Sequence, residues 1–328
     1  MFATLLGALP TPDGDGSPVE LAVRAQEEAG LEPITDGRLG ESTFAMFRDA
    51  LAGGAATLPS SVAAWQLIAG LTDRAVKQSL PGPYTLARRL GVGMAGDEGS
   101  NVRARRTHAI AEALASEVQA LVAAGCPLVE IEEADAHLIG ADEVERRLFR
   151  QAHRRLTDGV DLADGVDLGK GVLRTHLSLS IVGGSAAGAG IETILDAPYA
   201  SLAVDLIAGP ENWNLVTRAP GDRGIVAGAM GARPEGDEPK EILLWAAHYA
   251  ASTSGRGLAR VGLGSAGSYA NLTWAQAVRK MRLLGTAAKL AELPPGDDLT
   301  GQVDPQAVSA RRAALGRNAP KPPKRPRR

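Results

Sequence analysis

The feature that most constrains the fold of this chain is an alternation of short apolar runs with longer helix-like segments. Eight runs with strand character begin near residues 4, 32, 74, 128, 174, 202, 224 and 258, and helical patterns separate most of them. Strands that alternate with helices indicate a parallel sheet, and eight such units predict a (β/α)8 TIM barrel. We therefore expect a single barrel domain over residues 1–295.

Helices are predicted at 19–29, 41–51, 102–124, 141–156, 238–252 and 273–290, and a further one begins near residue 84. Gly30 is placed to end the first of them, and Thr273 is placed to cap the last. The alternative architecture is a doubly wound open sheet. Because no Gly-x-Gly-x-x-Gly motif directly follows an early strand, a dinucleotide-binding domain of that kind is disfavoured.

The composition argues against several classes of protein. The formal net charge of the 328-residue chain is −3, so bulk attraction to nucleic acid is not expected. Cys126 is the one cysteine, which rules out an intrachain disulfide framework and a cysteine-rich structural zinc site. Since no signal peptide and no long apolar run are recognisable, we expect a cytoplasmic protein without a membrane partner.

The last part of the chain differs in composition from the rest. Residues 296–328 are rich in proline, arginine and lysine, and no acidic residue follows Asp304. Such a segment has too few apolar residues to form a core, so a disordered basic tail is predicted. A solvated tail is one interpretation, and a weak contact with an acidic partner or RNA is the other. The oligomeric state stays open.

Charged residues cluster where predicted strands end. Glu130 and Glu132 lie two residues apart and so share one face of a strand, and Asp36 and Arg38 share a face near another strand end. Two carboxylates held close together would raise one carboxyl pKa. These residues predict a mixed-charge site that suits a small zwitterionic or carboxylated substrate. The alternative is that the glutamates form structural ion pairs with Arg38 or Arg174.

His176 is the strongest single candidate for chemistry. A histidine at the mouth of a barrel can act as an acid, a base or a metal ligand, and Asp205 is placed to orient it. The alternative is a histidine that is hydrogen-bonded inside a packed strand.

Several segments at the strand ends resemble the catalytic C-terminal barrel of cobalamin-independent methionine synthase, in the superfamily shared with uroporphyrinogen decarboxylase. Pro-Gly-Pro-Tyr-Thr at 81–85 is similar to that family's Gly-Pro-x-Thr, and Thr-His-Leu-Ser at 175–178 is similar to its His-x-Cys. Segments 26–38, 126–134 and 262–289 also resemble the family, so the likeness spans roughly residues 5–290.

The resemblance implies a zinc ion that binds a substrate thiol and activates it as a nucleophile for a methyl group. The four ligand positions would fall at His176, Ser178, Asp205 and Ala266. Because both cysteine positions lack a thiolate, we expect a degenerate site without zinc.

The positions that would hold substrate depart from the family too. Arg38 stands where the family has glutamate, Glu132 stands where it has aspartate, and its catalytic histidine is missing near Gly231. A folate-type methyl donor would approach Tyr84. The expected substrate-binding residues are Gly7, Asp36, Arg38, Tyr84, Glu130, Ser178 and Trp213.

The leading hypothesis is a diverged methyltransferase-type enzyme that acts on a small molecule without thiolate-bound zinc. His176, Asp205 and Glu132 are its expected catalytic residues. The alternatives are a decarboxylase or lyase that resembles uroporphyrinogen decarboxylase, and a non-catalytic barrel that binds a ligand or a protein partner.

Overall fold

The computed structural model describes residues 1–39, 43–52, 58, 60–91, 96–160, 175–294, 299 and 301–304. Seven parallel strands form one curled sheet in the order β1-β7-β6-β5-β4-β3-β2. Because this order contains no reversal, the doubly wound alternative is wrong. The strands are β1 (Phe2–Thr4), β2 (Lys77–Pro81), β3 (Leu128–Glu132), β4 (His176–Ile181), β5 (Ser201–Asp205), β6 (Gly224–Met230) and β7 (Val261–Ser265).

The predicted helices are confirmed, with ends that differ by a few residues in most cases. The last helix begins with a capping box, in which the Thr273 side chain accepts the backbone N–H of Gln276 while the Gln276 side chain accepts the backbone N–H of Thr273. The α-helices of the described residues are α1 (Pro18–Ala29), α2 (Thr43–Ala52), α3 (Val62–Ala69), α4 (Pro83–Arg89), α5 (Gly96–Ala123), α6 (Glu143–Thr157), α7 (Ile191–Leu195), α8 (Trp213–Arg218), α9 (Lys240–Ser252) and α10 (Trp274–Ala291).

The run that begins at residue 32 does not form the expected second strand. It makes two isolated bridges instead, from Glu32 to Ala3 of β1 and from Ile34 to Val76 just before β2. Pro33 lies between the two bridging residues and has no backbone N–H, so a continuous hydrogen-bond ladder is interrupted there. The described residues therefore contain seven strands rather than the predicted eight.

Side chains alternate between the two faces of the sheet. Leu177 and Leu179 of β4 belong to the large core between the sheet and its helices. Ser178 and Ser180 point to the opposite, concave face, which β6 and β7 line largely with glycine and small apolar residues. The concave face is thus polar on one side and apolar on the other.

Most of the predicted basic tail lies outside the described residues. Within the tail, the structure describes residues 299 and 301–304. None of the helices in the described part of the chain combines the length and the apolar character that a bilayer crossing requires.

Candidate functional site at the carboxyl ends of the strands

The carboxyl ends of the parallel strands meet at one edge of the sheet, which we call the mouth. Glu132 ends β3 and Asp205 ends β5, and Arg38 follows the 32–35 segment that bridges β1 and the start of β2. The structure therefore places these three predicted residues at the mouth, where barrel-like folds assemble their sites.

Arg38 and Glu132 form a direct ion pair at the mouth. The side chains are 17% and 5% exposed, so water screens this pair weakly. The guanidinium carbon of Arg38 also lies 3.7 Å from the centre of the Phe44 ring, within the range of a cation–π contact. The sequence left open that the glutamates form structural ion pairs with Arg38. The structure shows such a pair for Glu132.

The turn that carries Arg38 is set by Asp36. Asp36 Oδ1 accepts the backbone N–H of Arg38 at 3.0 Å, and Arg38 has a φ of 55°, which is unusual for a residue other than glycine or asparagine. Burial raises the pKa of the Asp36 carboxyl, against the opposing charges of Arg38 and Lys77. A second carboxyl group therefore lies next to the Arg38–Glu132 pair.

Lys77 lies beneath this pair and was missed by the sequence reasoning. Its Nζ donates to Glu130 Oε2 at 2.9 Å and to the Leu5 carbonyl at 2.7 Å, and both charged side chains are at most 2% exposed. Ser79 adds a hydrogen bond to Glu130 at 3.2 Å. Lys77 and Ser79 lie two residues apart in β2 and so share the inner face of this strand.

His176 does not lie at the mouth. It is the first residue of β4 and pairs in register with Leu128, the first residue of β3. At about 3.3 Å per residue, Glu132 is roughly 13 Å further along the strands and Asp205 is roughly 20 Å further. The expected pairing of His176 with Asp205 is therefore wrong.

The surroundings of His176 match the alternative of a packed, hydrogen-bonded histidine. Nε2 lies 2.8 Å from Ser201 Oγ, which donates to Ser178 Oγ at 2.9 Å. Nδ1 is buried without a hydrogen-bond partner among the described residues, and burial lowers the pKa of the imidazole. These surroundings favour the neutral form of His176.

Asp205 lies at the mouth but serves the backbone. Its Oδ1 accepts the N–H groups of Ile207 at 2.9 Å and Ala208 at 2.8 Å. Burial raises its carboxyl pKa, while backbone hydrogen bonds, including those from Gly183 and Gly209, oppose the shift. A carboxylate with these backbone partners orders the loop after β5.

The residues at the four expected zinc-ligand positions do not converge. His176 and Ser178 lie in the first half of β4, whereas Asp205 and Ala266 lie at or beyond the carboxyl ends of their strands. Cys126 is buried before β3, and burial raises its thiol pKa to about 12. In the described part of the chain, no three histidine, cysteine or carboxylate residues are grouped as a metal site requires. These residues do not fit a thiolate-bound zinc.

The three remaining substrate-binding candidates have packing roles. Gly7 has a φ of 84°, and a Cβ atom there would meet the backbone of Ser268 at 2.8 Å. Tyr84 is 1% exposed, and its hydroxyl donates to Glu145 of α6 at 2.6 Å. Its ring is therefore not available to stack on a folate-type donor. The Trp213 ring packs on Trp245 and Tyr249 of α9.

A buried network behind β3 was also missed. Glu133 is fully buried and accepts the backbone N–H groups of Tyr84 and Thr85 at 2.9 and 2.8 Å, and the Thr85 hydroxyl at 2.5 Å. His153 Nε2 lies 3.0 Å from the same carboxylate, and its Nδ1 lies 2.6 Å from the Tyr199 hydroxyl. This network fixes the end of β3, and with it Glu132, against α4 and α6.

The other side of the concave face is apolar. Leu6, Val182, Ala203 and Val226 form a separate cluster there. Ser180, which pairs in register with Glu132, borders this cluster and has a buried hydroxyl without a partner among the described residues. The mouth therefore offers charged groups on one wall and aliphatic groups on the other, as small-molecule sites commonly do.

Neither a protein-family model nor a curated protein matches the sequence. Among solved structures, a B12-independent methionine synthase from Shewanella sp. W3-18-1 in complex with selenomethionine superimposes with a TM-score of 0.64 at 14% identity. The match covers 88% of this chain and 96% of that one.

Two other solved structures are similar. A putative vitamin-B12-independent methionine synthase from Listeria monocytogenes has a TM-score of 0.60 at 16% identity, and covers 88% of this chain and 97% of its own. A methyltransferase from Methanosarcina mazei has a TM-score of 0.55 at 13% identity, with coverage of 87% and 94%. The chain thus has the fold of the B12-independent methionine synthases and of a related methyltransferase.

Proposed function

We propose that this chain is a methyltransferase-type enzyme that acts on a small molecule at the mouth without thiolate-bound zinc. The observation that carries the proposal is the weakly exposed Arg38–Glu132 ion pair at the carboxyl ends of the strands, with Asp36 beside it. Charges are costly to bury, and they cluster more often at functional sites than elsewhere. The fold is shared with a B12-independent methionine synthase and a methyltransferase, which supports the reaction class.

We infer further that the sheet closes into a (β/α)8 barrel in which residues 32–35 take the place of the second strand. The parallel bridge from Ile34 to Val76 supports this closure, and the bridge from Glu32 to Ala3, which is antiparallel, brings the same segment against β1. A closed sheet removes both edges and brings all the strand ends around one mouth.

Within this site we assign Glu132 as the group that binds or deprotonates the acceptor. Among the three expected catalytic residues, it is the carboxylate that is paired with a cation, Arg38, at the mouth. His176 and Asp205 are left with positioning roles, since one lies at the far end of β4 and the other holds a backbone loop.

A second candidate function is ligand binding without catalysis. It is favoured by the same ion pair, because Arg38 already occupies the carboxylate that would act on an acceptor. The two candidates predict the same site and differ in whether methyl transfer follows binding.

The test combines binding with transfer. A panel of small amino acids, carboxylic acids and thiols is screened by thermal shift, and the compounds that bind are then incubated with a folate-type donor that carries a labelled methyl group. We expect Glu132→Gln to abolish binding. Glu143→Gln is the control, because Glu143 is also paired with an arginine but is exposed, and this variant should bind as the native protein does.

Labelled product formed by the native protein and Glu143→Gln but not by Glu132→Gln would support the enzymatic function. Binding without transfer would favour the non-catalytic protein. Equal binding by the native protein and both variants would contradict a site at Glu132.

A further inference from the structure

We propose that Arg38 is an internal occupant of a cation-binding site formed by Glu132 and Phe44, and that a guanidinium-bearing small molecule binds there when the Arg38 side chain does not fill it. The proposal rests on the proposed function only in placing ligands at the mouth. It adds the chemical class that the charged wall recognises and the residue that fills the site in the native protein.

Charge balance is the first argument. Lys77 compensates Glu130 at the lower level of the concave face, where both side chains are buried. At the mouth, Glu132 has Arg38 as its compensating charge, while the Asp36 carboxyl accepts the backbone N–H of Arg38. Without Arg38, the Glu132 carboxylate would be buried and unpaired, which is unfavourable unless another cation takes its place.

The shape of the surroundings is the second argument. The Arg38 guanidinium has the Phe44 ring 3.7 Å from its central carbon and a carboxylate at its edge. An aromatic face combined with a carboxylate suits a planar, delocalised cation better than a compact ammonium. The ligand class that follows is an alkylguanidinium.

The backbone at Arg38 is the third argument. A φ of 55° is a left-handed conformation that glycine and asparagine adopt more readily than arginine. The backbone conformation therefore does not favour arginine at position 38. The side chain is held there by its contacts with Glu132 and Phe44. Since the side chain is 17% exposed, it reaches the rim and has a path towards solvent.

The experiment removes the side chain and supplies its head group in solution. Arg38→Gly deletes the guanidinium and suits the left-handed backbone, so it opens the site with little added strain. Thermal unfolding of this variant is measured in millimolar ethylguanidinium, and in millimolar ethylurea as a neutral probe of nearly the same shape. At ten times its Kd, ethylguanidinium should raise the Tm of Arg38→Gly by about 2 °C relative to ethylurea.

Three controls decide the outcome. The native protein should show no such difference, because Arg38 fills the site. The double variant Arg38→Gly, Glu132→Gln should show none either, because the carboxylate is gone. Arg89→Ala, which opens an exposed pair with Asp135, should behave like the native protein. Equal Tm differences in Arg38→Gly and in any of these controls would overturn the proposal.

If Arg38→Gly does not fold, Arg38→Asn serves the same purpose, since asparagine also tolerates this backbone. The result is separable from the fate of the proposed function. Rescue by ethylguanidinium reports the cation site even if no methyl transfer is found, and its absence overturns the site even if transfer is observed.

Discussion

Glu133 shows how strongly a single buried carboxylate depends on its partners. Two backbone N–H groups of α4, the Thr85 hydroxyl and His153 all contact it, and Gly82 leaves the space it occupies, since a Cβ there would overlap the carboxyl group. A buried acceptor surrounded by donors is stabilising only while every partner is satisfied.

We therefore expect Glu133→Gln to destabilise the protein by about 3 kcal/mol, because the new amide N–H₂ would face donors rather than acceptors. Urea unfolding gives the free energy. Glu143→Gln is the matched control, since Glu143 is 63% exposed and pairs with Arg146, and it should cost less than about 0.5 kcal/mol. Similar losses for the two variants would mean that the network behind β3 contributes little.

A second prediction concerns pH and His176. Burial lowers the imidazole pKa below its ordinary value of 6.5, so the unfolded chain binds this proton more readily than the folded one. The contribution to stability is fully present above the unfolded pKa and is lost as the pH falls below it. Urea midpoints should therefore fall on acidification, and His176→Gln should flatten this dependence.

Other groups contribute to the same profile. The pKa values of Asp36 and Asp205 are raised by burial, so their contributions are lost as the pH rises above their ordinary value of 3.8, in the opposite direction. Burial also lowers the pKa of His108, which leaves some slope in the variant. The comparison of native protein with His176→Gln isolates one histidine, and identical profiles would contradict a buried neutral His176.

The residues of the mouth were partly predictable. A two-residue spacing identified the face on which Glu130 and Glu132 lie, and the sequence also suggested Arg38 as an ion-pair partner. The same spacing carries no information on how far along a strand a residue lies, so His176 was assigned to the wrong end. Lys77 was missed because its partner Glu130 is distant in sequence and becomes its neighbour only in the sheet.

At the level of whole elements, close packing of helices constrains small residues. Gly285 lies where α10 crosses α1, and a Cβ atom there would overlap the backbone carbonyl of Ala29. The two helices approach each other closely only because this side chain is absent.

Glycine to alanine in a helix ordinarily stabilises by about 1 kcal/mol. At Gly285 we expect the opposite, a loss of about 2 kcal/mol, because the helices must separate to admit the methyl group. Gly70→Ala at the end of α3 is the control, since its φ is −76° and the nearest atom would be 3.4 Å away. Urea unfolding of both variants tests the contact, and a stabilised Gly285→Ala would refute it.

Elements were easier to predict than their pairing. Apolar periodicity identified the long helices, and Thr273 was recognisable as a cap from its position before an amphipathic run. The 32–35 segment has the composition of a strand, yet Pro33 breaks the ladder that would make it one. The sequence also missed α3, whose apolar composition gives a weak helical period.

At the scale of the whole molecule, the fold and the site carry different information. The strand order follows from repeated strand–helix units, so the sequence predicted a parallel sheet and the solved structures of similar fold agree with it. The proposed chemistry concerns a few positions at which the sequence is expected to differ from the family it resembles. At those positions it places Arg38, Ser178 and Ala266.

The proposed function combines this fold with a charged mouth and no thiolate-bound zinc. The most direct test is the zinc content of purified, tag-free protein from zinc-replete cells, measured by elemental mass spectrometry beside His176→Ala. We predict far less than one zinc per chain in both proteins. Near-stoichiometric zinc in the native protein that is lost in His176→Ala would contradict the account.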